Sequence, residues 1–389
     1  MMEIVVFEDD RCAQFEPLVL AKPVFDLRLG SISLLGQFEH VALKGLFCRE
    51  TLKNSVVETY PQYRVNALDL SVPCFYINAR LVLEIPFSKW LERFSFDHSF
   101  VVSFHGQIAA LFLTEKVMNA SQLFGLKLEA VNEPVVSLEK ATLVEYPWEL
   151  LEKGLALLPS QIQKLTSELV FIHSSAVIEP GVHIDSTHGS VWVGENVKIE
   201  AGSRLEGPLF IDSGAQILGA RLKNCVVGAF CKIGGEVSST IFSSYSNKAH
   251  YGYVGNSYVG EWVNLGAGTT TSNLKNTYGE ISVQMRDKKI KTGAVFFGSI
   301  ISDHVKTGIG TLLNTGTVLG FSAHVWGAGV HSGYIHSFSW GESGCYESMR
   351  LDKFFEVSGA MMARRGQKMK RYQQILVEAA YMKELSFRV

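Results

Sequence analysis

Residues 191–219 read VWVGENVKIEAGSRLEGPLFIDSGAQILG, and this stretch decides how the middle of the chain folds. An aliphatic side chain returns at every sixth residue, and small or turn-forming residues follow it or fall between. A period of six differs from that of a helix, roughly 3.6, and from that of a strand, roughly 2. It is typical of a solenoid in which each unit is one short strand and one corner. The aliphatic positions are Val193, Ile199, Leu205, Ile211 and Ile217.

The same rhythm extends in both directions. It begins at Ile172 and, after interruptions, returns at Ile233, Leu265 and Ile309. We expect each aliphatic side chain to enter a prism-shaped core and each neighbouring small residue to fit a tight corner, where positive φ angles favour glycine. Three faces make one coil of about 18 residues, and stacked coils bury each other's edges. The sequence therefore predicts a parallel β-helix over residues 171–335.

The flanking segments have different patterns. Residues 1–150 mix strand-like and helix-like runs, so we expect an α/β domain there. Residues 149–167 carry helical spacing, which makes residues 151–170 a helical linker. The clear repeats stop after about residue 330, and residues 336–389 are expected to form a tail and one long helix. The strand-like runs of the first domain are residues 4–7, 74–77, 100–103 and 109–112.

The expected C-terminal helix, residues 352–384, carries a run of basic side chains. A charged run on a helix is most simply a solvated face. The other interpretation is that these side chains bind phosphate groups. The run consists of Arg364, Arg365, Lys368, Lys370 and Arg371.

Composition narrows the class of protein. The 389 residues carry a formal net charge of −2 and are 47% hydrophobic, which excludes a disordered chain and a basic nucleic-acid binder. The N-terminus does not resemble a signal peptide and no run of about 18 apolar residues occurs, so we expect a cytoplasmic protein that does not enter a membrane. The six cysteines form no C-x-x-C pair, which suits reduced thiols inside the core.

Polar residues concentrate where the six-residue rhythm breaks, in residues 247–253, 264–269 and 271–276. Side chains at the corners of a rigid prism project into the groove between packed copies, where a site can form. His250 is the side chain of this group that titrates near neutral pH. It could take a proton from an amine or a hydroxyl group.

The residues around His250 resemble a known family. The strings SNKAHYGYVGNSYVGEWVNLGAGTTTSNLKNTYG (246–279), SIISDHVKTGIGTLLNTGTVLG (299–320) and SFSWG (337–341) are similar to the acetyltransferase half of the bifunctional uridyltransferase/glucosamine-1-phosphate acetyltransferases. With LAKPVFDLRLG (20–30) and YINARLV (76–82), the chain is closer to the alternate bacterial GlmU-like family, the UDP-N-acetylglucosamine diphosphorylase/glucosamine-1-phosphate N-acetyltransferases. The resemblance implies an α/β nucleotidyltransferase-like domain, a left-handed parallel β-helix of hexapeptide repeats and a C-terminal helix.

For the β-helix, the resemblance implies acetyl transfer from acetyl-CoA to an amino-sugar phosphate, with glucosamine-1-phosphate as the expected acceptor. His250 would be the general base that deprotonates the ammonium group, and backbone amides near Gly266 to Gly268 could stabilise the tetrahedral oxyanion. The other residues carry over by position: Tyr253 and Asn264 to the sugar, Lys248 to its phosphate, and Ala267, Asn273, Ser299 and Thr315 to acetyl-CoA.

For the N-terminal domain, the resemblance implies nucleotidyl transfer from UTP to the sugar phosphate, which would form UDP-N-acetylglucosamine. The usual glycine-rich phosphate loop is absent, and residues 20–30 stand in its place. Lys22 and Arg28 are cations suited to a transferring phosphoryl group, and carboxylates suit Mg²⁺. A structural salt-bridge cluster is the alternative explanation. The candidate carboxylates are Glu8, Asp9, Asp10 and Asp26, of which Asp9 and Asp26 are also assigned to nucleotidyl transfer.

One departure concerns the sugar phosphate. The better-known enzymes of the bifunctional type hold it with an arginine and a lysine from earlier coils, but the corresponding stretch here, GGEVSS (234–239), has no lysine. Arg221 and Lys232 are the candidates to replace these cations.

Two other functions stay open. The chain could be a sugar-phosphate nucleotidyltransferase or a sugar-nucleotide binding protein whose β-helix only forms oligomers. It could also be a metal-dependent hydratase, in which three imidazoles meet on one metal ion between subunits; the candidates are His324, His331 and His336. The flat faces of a solenoid favour a closed cyclic assembly, and the resemblance implies a homotrimer.

Overall fold

The computed structural model describes residues 2–38, 43–67 and 72–387. The chain divides into two compact units. The short segment 28–31 belongs to the second unit, although the first unit surrounds it in sequence. The first unit holds residues 1–27, 32–149 and 370–379, and the second holds 28–31, 150–369 and 380–389.

The first unit is built on a mixed seven-stranded sheet, so the predicted α/β domain and its four strand-like runs are confirmed. The inner strand Glu3–Phe7 is fully buried and pairs in parallel with both of its neighbours. Strand Gln107–Leu113 pairs antiparallel with both of its neighbouring strands. In spatial order the strands are Val135–Ser137, Phe100–Phe104, Gln107–Leu113, Cys74–Asn78, Glu3–Phe7, Leu43–Phe47 and Arg64–Val65.

An aromatic cluster fills one part of this unit. The ring of Phe75 lies 6.1–6.4 Å, centroid to centroid, from the rings of Trp90, Phe100 and Phe112. All four side chains are buried. Three short helices, Lys53–Thr59, Phe87–Leu91 and Ala120–Phe124, and the antiparallel pair Leu81–Leu83 and Ala141–Leu143 complete the unit.

The second unit contains the predicted parallel β-helix. Val193 lies beside Ile211 in a parallel pair, so one coil takes 18 residues there. Further along, Ile217 lies beside Ile233, and the coil is 16 residues long. Coils of unequal length are the reason that the six-residue rhythm is interrupted. The inward side chains form one continuous core, which includes the thiol of Cys225 and that of Cys231.

The solenoid has one large excursion and extends further than predicted. Leu265 pairs with Thr307 because the chain leaves the coil and forms the hairpin Ser282–Gln284 and Lys289–Lys291. Parallel pairing continues to Ser339–Glu342, past residue 330, where the clear repeats end in the sequence. The other strands include Val170–Ile172, Val177–Ile178, His183–Asp185, Val191–Val193, Lys198–Ile199, Arg204–Ile211, Gln216–Val227, Lys232–Ser238, Ile241–Phe242, Asn247–Lys248, Tyr253–Gly255, Tyr258–Val259, Asn264–Leu265, Thr270–Thr271, Ser299–Ile301, Lys306–Thr307, Leu312–Leu313, Thr317–Leu319, His324–Trp326, Val330–His331, Tyr334–Ile335 and Cys345–Ser348.

One corner of the solenoid differs from the expectation of small residues. Phe230, Tyr245, Trp262 and His304 occupy successive coils there with φ between 59° and 62°. The ring of Tyr245 stacks on that of Trp262 at 4.3 Å and on that of Phe230 at 5.1 Å. Since an ordinary residue is strained at positive φ, stacking of the rings offsets part of that cost.

The C-terminal segment forms two helices, so the prediction of one long helix is wrong. Leu351–Ala363 ends because Gly366 adopts a φ of 65° and the amide of Gln367 donates to the carbonyl of Met362. Phe354 packs this helix against Phe321 of the solenoid, with ring centroids 5.8 Å apart. The remaining helices are Pro147–Leu165, which covers residues 151–165 of the predicted linker, and Arg371–Ser386. No helix within the described residues is long and apolar enough to cross a membrane.

We predict that the inward side chains carry the stability of the second unit. Ile233 is completely buried, so Ile233→Ala should lower the free energy of unfolding by about 2–5 kcal/mol. Val177 sits on an early coil with 58% of its surface exposed, and Val177→Ala should change it by less than about 0.5 kcal/mol. Thermal unfolding of both variants checks this, and equal losses would contradict it.

Candidate active site

Three of the predicted site residues share one cavity in the second unit. The cavity has a volume of about 460 Å³, and His250, Asn264 and Ala267 line it. The register explains this, because Asn264 pairs directly with Asn247 of the preceding coil and His250 follows three residues after Asn247. Corner and strand residues of adjacent coils therefore meet at one place on the surface.

The polar side chains of this cavity are available to a ligand. His250 is exposed, and its imidazole has no hydrogen-bond partner among residues 2–38, 43–67 and 72–387. The side-chain amide of Asn264 likewise makes no bond within that part of the chain. A free imidazole beside a free amide can accept a proton and hold a hydroxyl group of the same small molecule.

The backbone amides of this loop are only partly available. The amide of Gly266 donates to Thr307 Oγ1 at 3.0 Å, and that of Gly268 donates to the Tyr251 carbonyl at 2.9 Å. These two amides are therefore not free to stabilise an oxyanion. The amide of Ala267 makes no hydrogen bond to a described residue, which leaves it as the candidate donor.

Lys248 occupies an inward position of the solenoid. It pairs with Ile233 of the preceding coil, and its side chain is buried. Its ammonium group donates to the carbonyl of Gly234 at 3.0 Å and to that of His250 at 2.9 Å. Burial lowers the pKa of Lys248 to about 8. This geometry holds the His250 corner in place and does not favour the predicted contact with the acceptor phosphate, since Lys248 is not among the residues that line the cavity.

Tyr253 and Asn273 form a second group. The Tyr253 hydroxyl lies 2.8 Å from Ser238 Oγ and accepts from Asn273 Nδ2 at 3.0 Å. Asn273 Nδ2 also donates to Asn256 Oδ1 at 2.8 Å. The structure thus brings together one residue predicted for the sugar and one predicted for acetyl-CoA, although neither lines the His250 cavity.

The last two predicted contacts with acetyl-CoA differ in accessibility. Ser299 is completely buried, and its amide donates to Ser257 Oγ at 3.0 Å, so it is not placed to touch a ligand. Thr315 is half-buried, and its amide donates to Asn314 Oδ1 at 2.9 Å. The role of Thr315 stays a prediction.

Of the two candidates to replace the missing cations, Lys232 lines the cavity. Arg221 instead lies 3.5 Å from the carboxylate of Glu206. Arg364 and Arg365, from the basic run, also line the cavity. The sequence showed the basic run but not that it lies at the His250 cavity, because more than a hundred residues separate the run from His250.

The carboxylates predicted for the first unit are engaged with arginines. Glu8 is buried, and its carboxylate accepts from the amide of Val24 at 2.8 Å and from the amide of Arg49 at 3.0 Å. The guanidinium of Arg49 adds an ion pair to Glu8 at 3.2 Å. Asp9 accepts from the buried guanidinium of Arg80 at 2.9 and 2.6 Å.

The other predicted charges of this site are also engaged. Asp26 accepts from the Tyr60 hydroxyl at 2.6 Å, and Asp10 pairs with Lys127. Lys22 lies in the first unit, but Arg28 belongs to the second, where it pairs with Asp212 at 2.8 Å. In the described residues no group of three or more histidine, cysteine or acidic side chains could hold a metal ion. Glu8, Asp9 and Asp10 are thus in ion pairs, as the structural alternative expects, and Asp26 accepts a hydrogen bond, an arrangement that does not favour a Mg²⁺ site on these carboxylates.

The three histidines of the hydratase hypothesis form no metal site within the described residues of one chain, and two of them have other partners. His331 Nδ1 lies 2.6 Å from the Tyr346 hydroxyl, and His336 Nδ1 lies 2.9 Å from the carboxylate of Glu384. His324 is buried, and this burial lowers its pKa to about 3. A metal site that these histidines would form between subunits stays a prediction.

The chain thus joins an α/β unit to a parallel β-helix that carries the His250 cavity. Residues 4–169 match the family described as Sugar nucleotidyl transferase. The chain is similar to the bifunctional sugar-1-phosphate nucleotidylyltransferase/acetyltransferase of Sulfurisphaera tokodaii, with 35% identity over 95 residues that cover 24% of each chain. It is also similar to the bifunctional protein GlmU of Methanococcus vannielii, with 28% identity over 235 residues, 59% of this chain and 52% of that one.

These findings confirm the resemblance to bifunctional GlmU-like proteins and support the predicted class of enzyme, a transferase. The matches span about a quarter and about a half of the length of the two curated relatives. A solved structure of AntD, an N-acyltransferase from Bacillus cereus, covers 53% of this chain and 96% of that chain at 14% identity and a TM-score of 0.24.

We predict that Lys248 makes stability depend on pH. Its pKa is about 8 in the folded protein against an ordinary value of 10.5, so the folded state loses this proton first and stability rises with pH between those values. Lys248→Met removes this rise. The stability of the wild type relative to the variant should therefore increase by about 1–3 kcal/mol from pH ~7 to ~10. Thermal unfolding measures the difference, and the exposed Lys198→Met is the control that should show none.

We also predict that Asp9 is structural. Asp9→Asn leaves the buried Arg80 guanidinium without its carboxylate, which should destabilise the first unit by about 3–5 kcal/mol. Asp10→Asn removes an exposed ion pair and should cost less than about 1 kcal/mol. Thermal unfolding distinguishes the two, and an Asp9→Asn variant as stable as the wild type would restore Asp9 as a candidate ligand.

Proposed function

We propose that the second unit transfers the acetyl group of acetyl-CoA to the amine of an amino-sugar phosphate, with glucosamine-1-phosphate as the acceptor. The observation that carries this proposal is the free imidazole of His250 in a cavity it shares with Asn264 and the amide of Ala267. These three groups have the chemistry of a base, a hydroxyl ligand and an oxyanion donor. The similarity to a named nucleotidylyltransferase/acetyltransferase supports the same reaction.

In the proposed reaction, His250 removes a proton from the acceptor's ammonium group, because only a neutral amine can attack. The amine nitrogen forms a bond to the thioester carbonyl carbon, and the carbonyl oxygen gains the negative charge that the Ala267 amide stabilises. The carbon–sulfur bond then breaks. The thiolate of CoA takes up the proton from His250, and the nitrogen loses its remaining extra proton to solvent, which leaves the N-acetylated sugar phosphate and free CoA.

For the first unit, the match of residues 4–169 to sugar nucleotidyl transferases favours a second activity. We propose nucleotidyl transfer from UTP to the acetylated sugar phosphate, which releases pyrophosphate and forms UDP-N-acetylglucosamine. Because the predicted carboxylates already have partners among the protein's own side chains, no residue is assigned to a metal ion. Pyrophosphate release with UTP and the acetylated product is the assay for this unit.

We further propose that the protein forms a homotrimer with the site between subunits. Ile309 lines the His250 cavity, and 80% of its surface is exposed in the single chain. Leu312 and Val330, on paired strands that follow, are also exposed. Apolar side chains at the edge of a site are covered when a second copy packs there.

We predict that His250→Gln lowers the kcat of acetyl transfer about 10²–10⁴-fold, because the general base is lost. CoA release with glucosamine-1-phosphate measures this. The exposed His183→Gln on an early coil is the control and should keep the wild-type rate. Pyrophosphate release should be unchanged in both variants.

The outcomes separate the proposed function from its alternative. Equal acetyl transfer by His250→Gln and the wild type would remove His250 from the mechanism. No acetyl transfer by the wild type, together with normal pyrophosphate release, would favour the nucleotidyltransferase whose β-helix only forms oligomers.

A further inference from the structure

Three cations converge on the His250 cavity from two different parts of the chain. Lys232 comes from a solenoid strand, and Arg364 and Arg365 come from the end of the helix Leu351–Ala363. The other residues that line the cavity include no aspartate or glutamate. The cavity therefore holds positive charge without an acidic group in its own wall.

Arg365 is held in position by the solenoid. Its guanidinium donates to Asn247 Oδ1 at 2.7 Å and to the carbonyl of Phe230 at 3.2 Å. Both partners are neutral, so these bonds orient the group without cancelling its charge. A guanidinium has five N–H donors in a rigid fork, and two are used here, which leaves others for a ligand.

The other two cations have no partner among the residues that the structure describes. The side chains of Lys232 and Arg364 make no hydrogen bond or ion pair to any residue in the described part of the chain. Burial and the charges of Arg365 and Arg364 lower the pKa of Lys232. The three charges thus repel one another, and nothing in the wall of the cavity relieves that repulsion.

A purely structural explanation accounts for only part of this cluster. Basic residues at the C-terminal end of a helix interact favourably with its dipole, which suits Arg364 and Arg365. It does not explain Lys232, which lies on a different element, nor why Arg365 bonds to the coil that precedes His250. An anion bound among the three accounts for the convergence of cations from two elements on one cavity.

The chemistry of the acceptor indicates which anion fits. In glucosamine-1-phosphate the amine and the phosphate are on adjacent ring carbons. A base that reaches the amine and cations that reach the phosphate must therefore line the same small cavity. The phosphates of CoA lie at the far end of the pantetheine arm from the thioester, and so would be found away from the base.

We infer that Lys232, Arg364 and Arg365 form the subsite for the phosphate monoester of the acceptor. This inference rests on the proposed acetyl transfer. The C-terminal helix thereby supplies the cations that residues 234–239 lack. The subsite makes the enzyme select a phosphorylated amino sugar over the free sugar.

The test is the kinetics of Arg364→Gln and Lys232→Gln, whose side chains have no partner in the described residues and whose loss should leave the fold intact. A lost charge-assisted hydrogen bond should raise the KM for glucosamine-1-phosphate about 10- to 100-fold. The KM for acetyl-CoA and the activity with glucosamine should stay as in the wild type. Lys368→Gln removes an exposed cation of the same basic run that does not line the cavity, and it should behave as the wild type.

Two results overturn the inference. An unchanged KM for glucosamine-1-phosphate in both variants removes the subsite, and a raised KM for acetyl-CoA alone transfers these cations to the phosphates of CoA. If the wild type shows no acetyl transfer, the proposed function fails, and calorimetric titration with glucosamine-1-phosphate then decides the subsite alone. Saturable binding that Arg364→Gln weakens supports it, and binding equal in both proteins contradicts it.

Discussion

The parallel register between successive coils is the constraint on which the second unit depends. Each strand is only two or three residues long at the site, so a side chain's direction is set by which residue of the coil below it faces. Asn247, Asn264 and Lys306 form one outward column in this register, while Leu265 and Thr307 continue an inward one. Because side chains alternate in direction, a slip of one residue would exchange the two columns. The register therefore determines both the core and the site.

Lys248 is a charged residue at an inward position of this register. The position takes an aliphatic residue in the coils before and after, as Ile233 and Leu265 show. A buried ammonium group costs free energy unless its donors are bonded, and here two backbone carbonyls accept from it. One of these carbonyls belongs to His250. The buried ammonium group of Lys248 therefore fixes the backbone of the corner that carries His250. Exceptions to local rules are expected where a site is held.

Much of the fold could be predicted because the spacing of the aliphatic residues gives the period of the repeat. What the repeat could not show was its interruptions: the 16-residue coils and the excursion after Leu265 change the count without changing the residue types. The site divides in the same way. His250, Asn264 and Ala267 are close in sequence and share one cavity, whereas Arg364 and Arg365 reach it through packing of Phe354 against the solenoid. Contacts of that kind leave no local pattern. The sequence did not reveal that Lys248 points inward, because a run of polar residues suggests an exposed segment. Its inward position follows only from the pairing of the coils.

The charged side chains of the two candidate sites differ in whether they are paired within the protein. This difference affects which ligands each unit can bind. In α/β sheets, ligands bind beyond the carboxyl ends of the parallel strands, and Glu8 and Asp9 follow directly after the inner strand Glu3–Phe7. There, however, the guanidinium groups of Arg49 and Arg80 already neutralise both carboxylates. The protein's own cations thus occupy the places that a metal ion would take. At the His250 cavity three cations lack an acidic partner in the cavity wall. The unpaired cations of the second unit therefore favour binding of an anionic ligand. The carboxylates Glu8 and Asp9 of the first unit are already neutralised by arginines and do not favour binding of a cation.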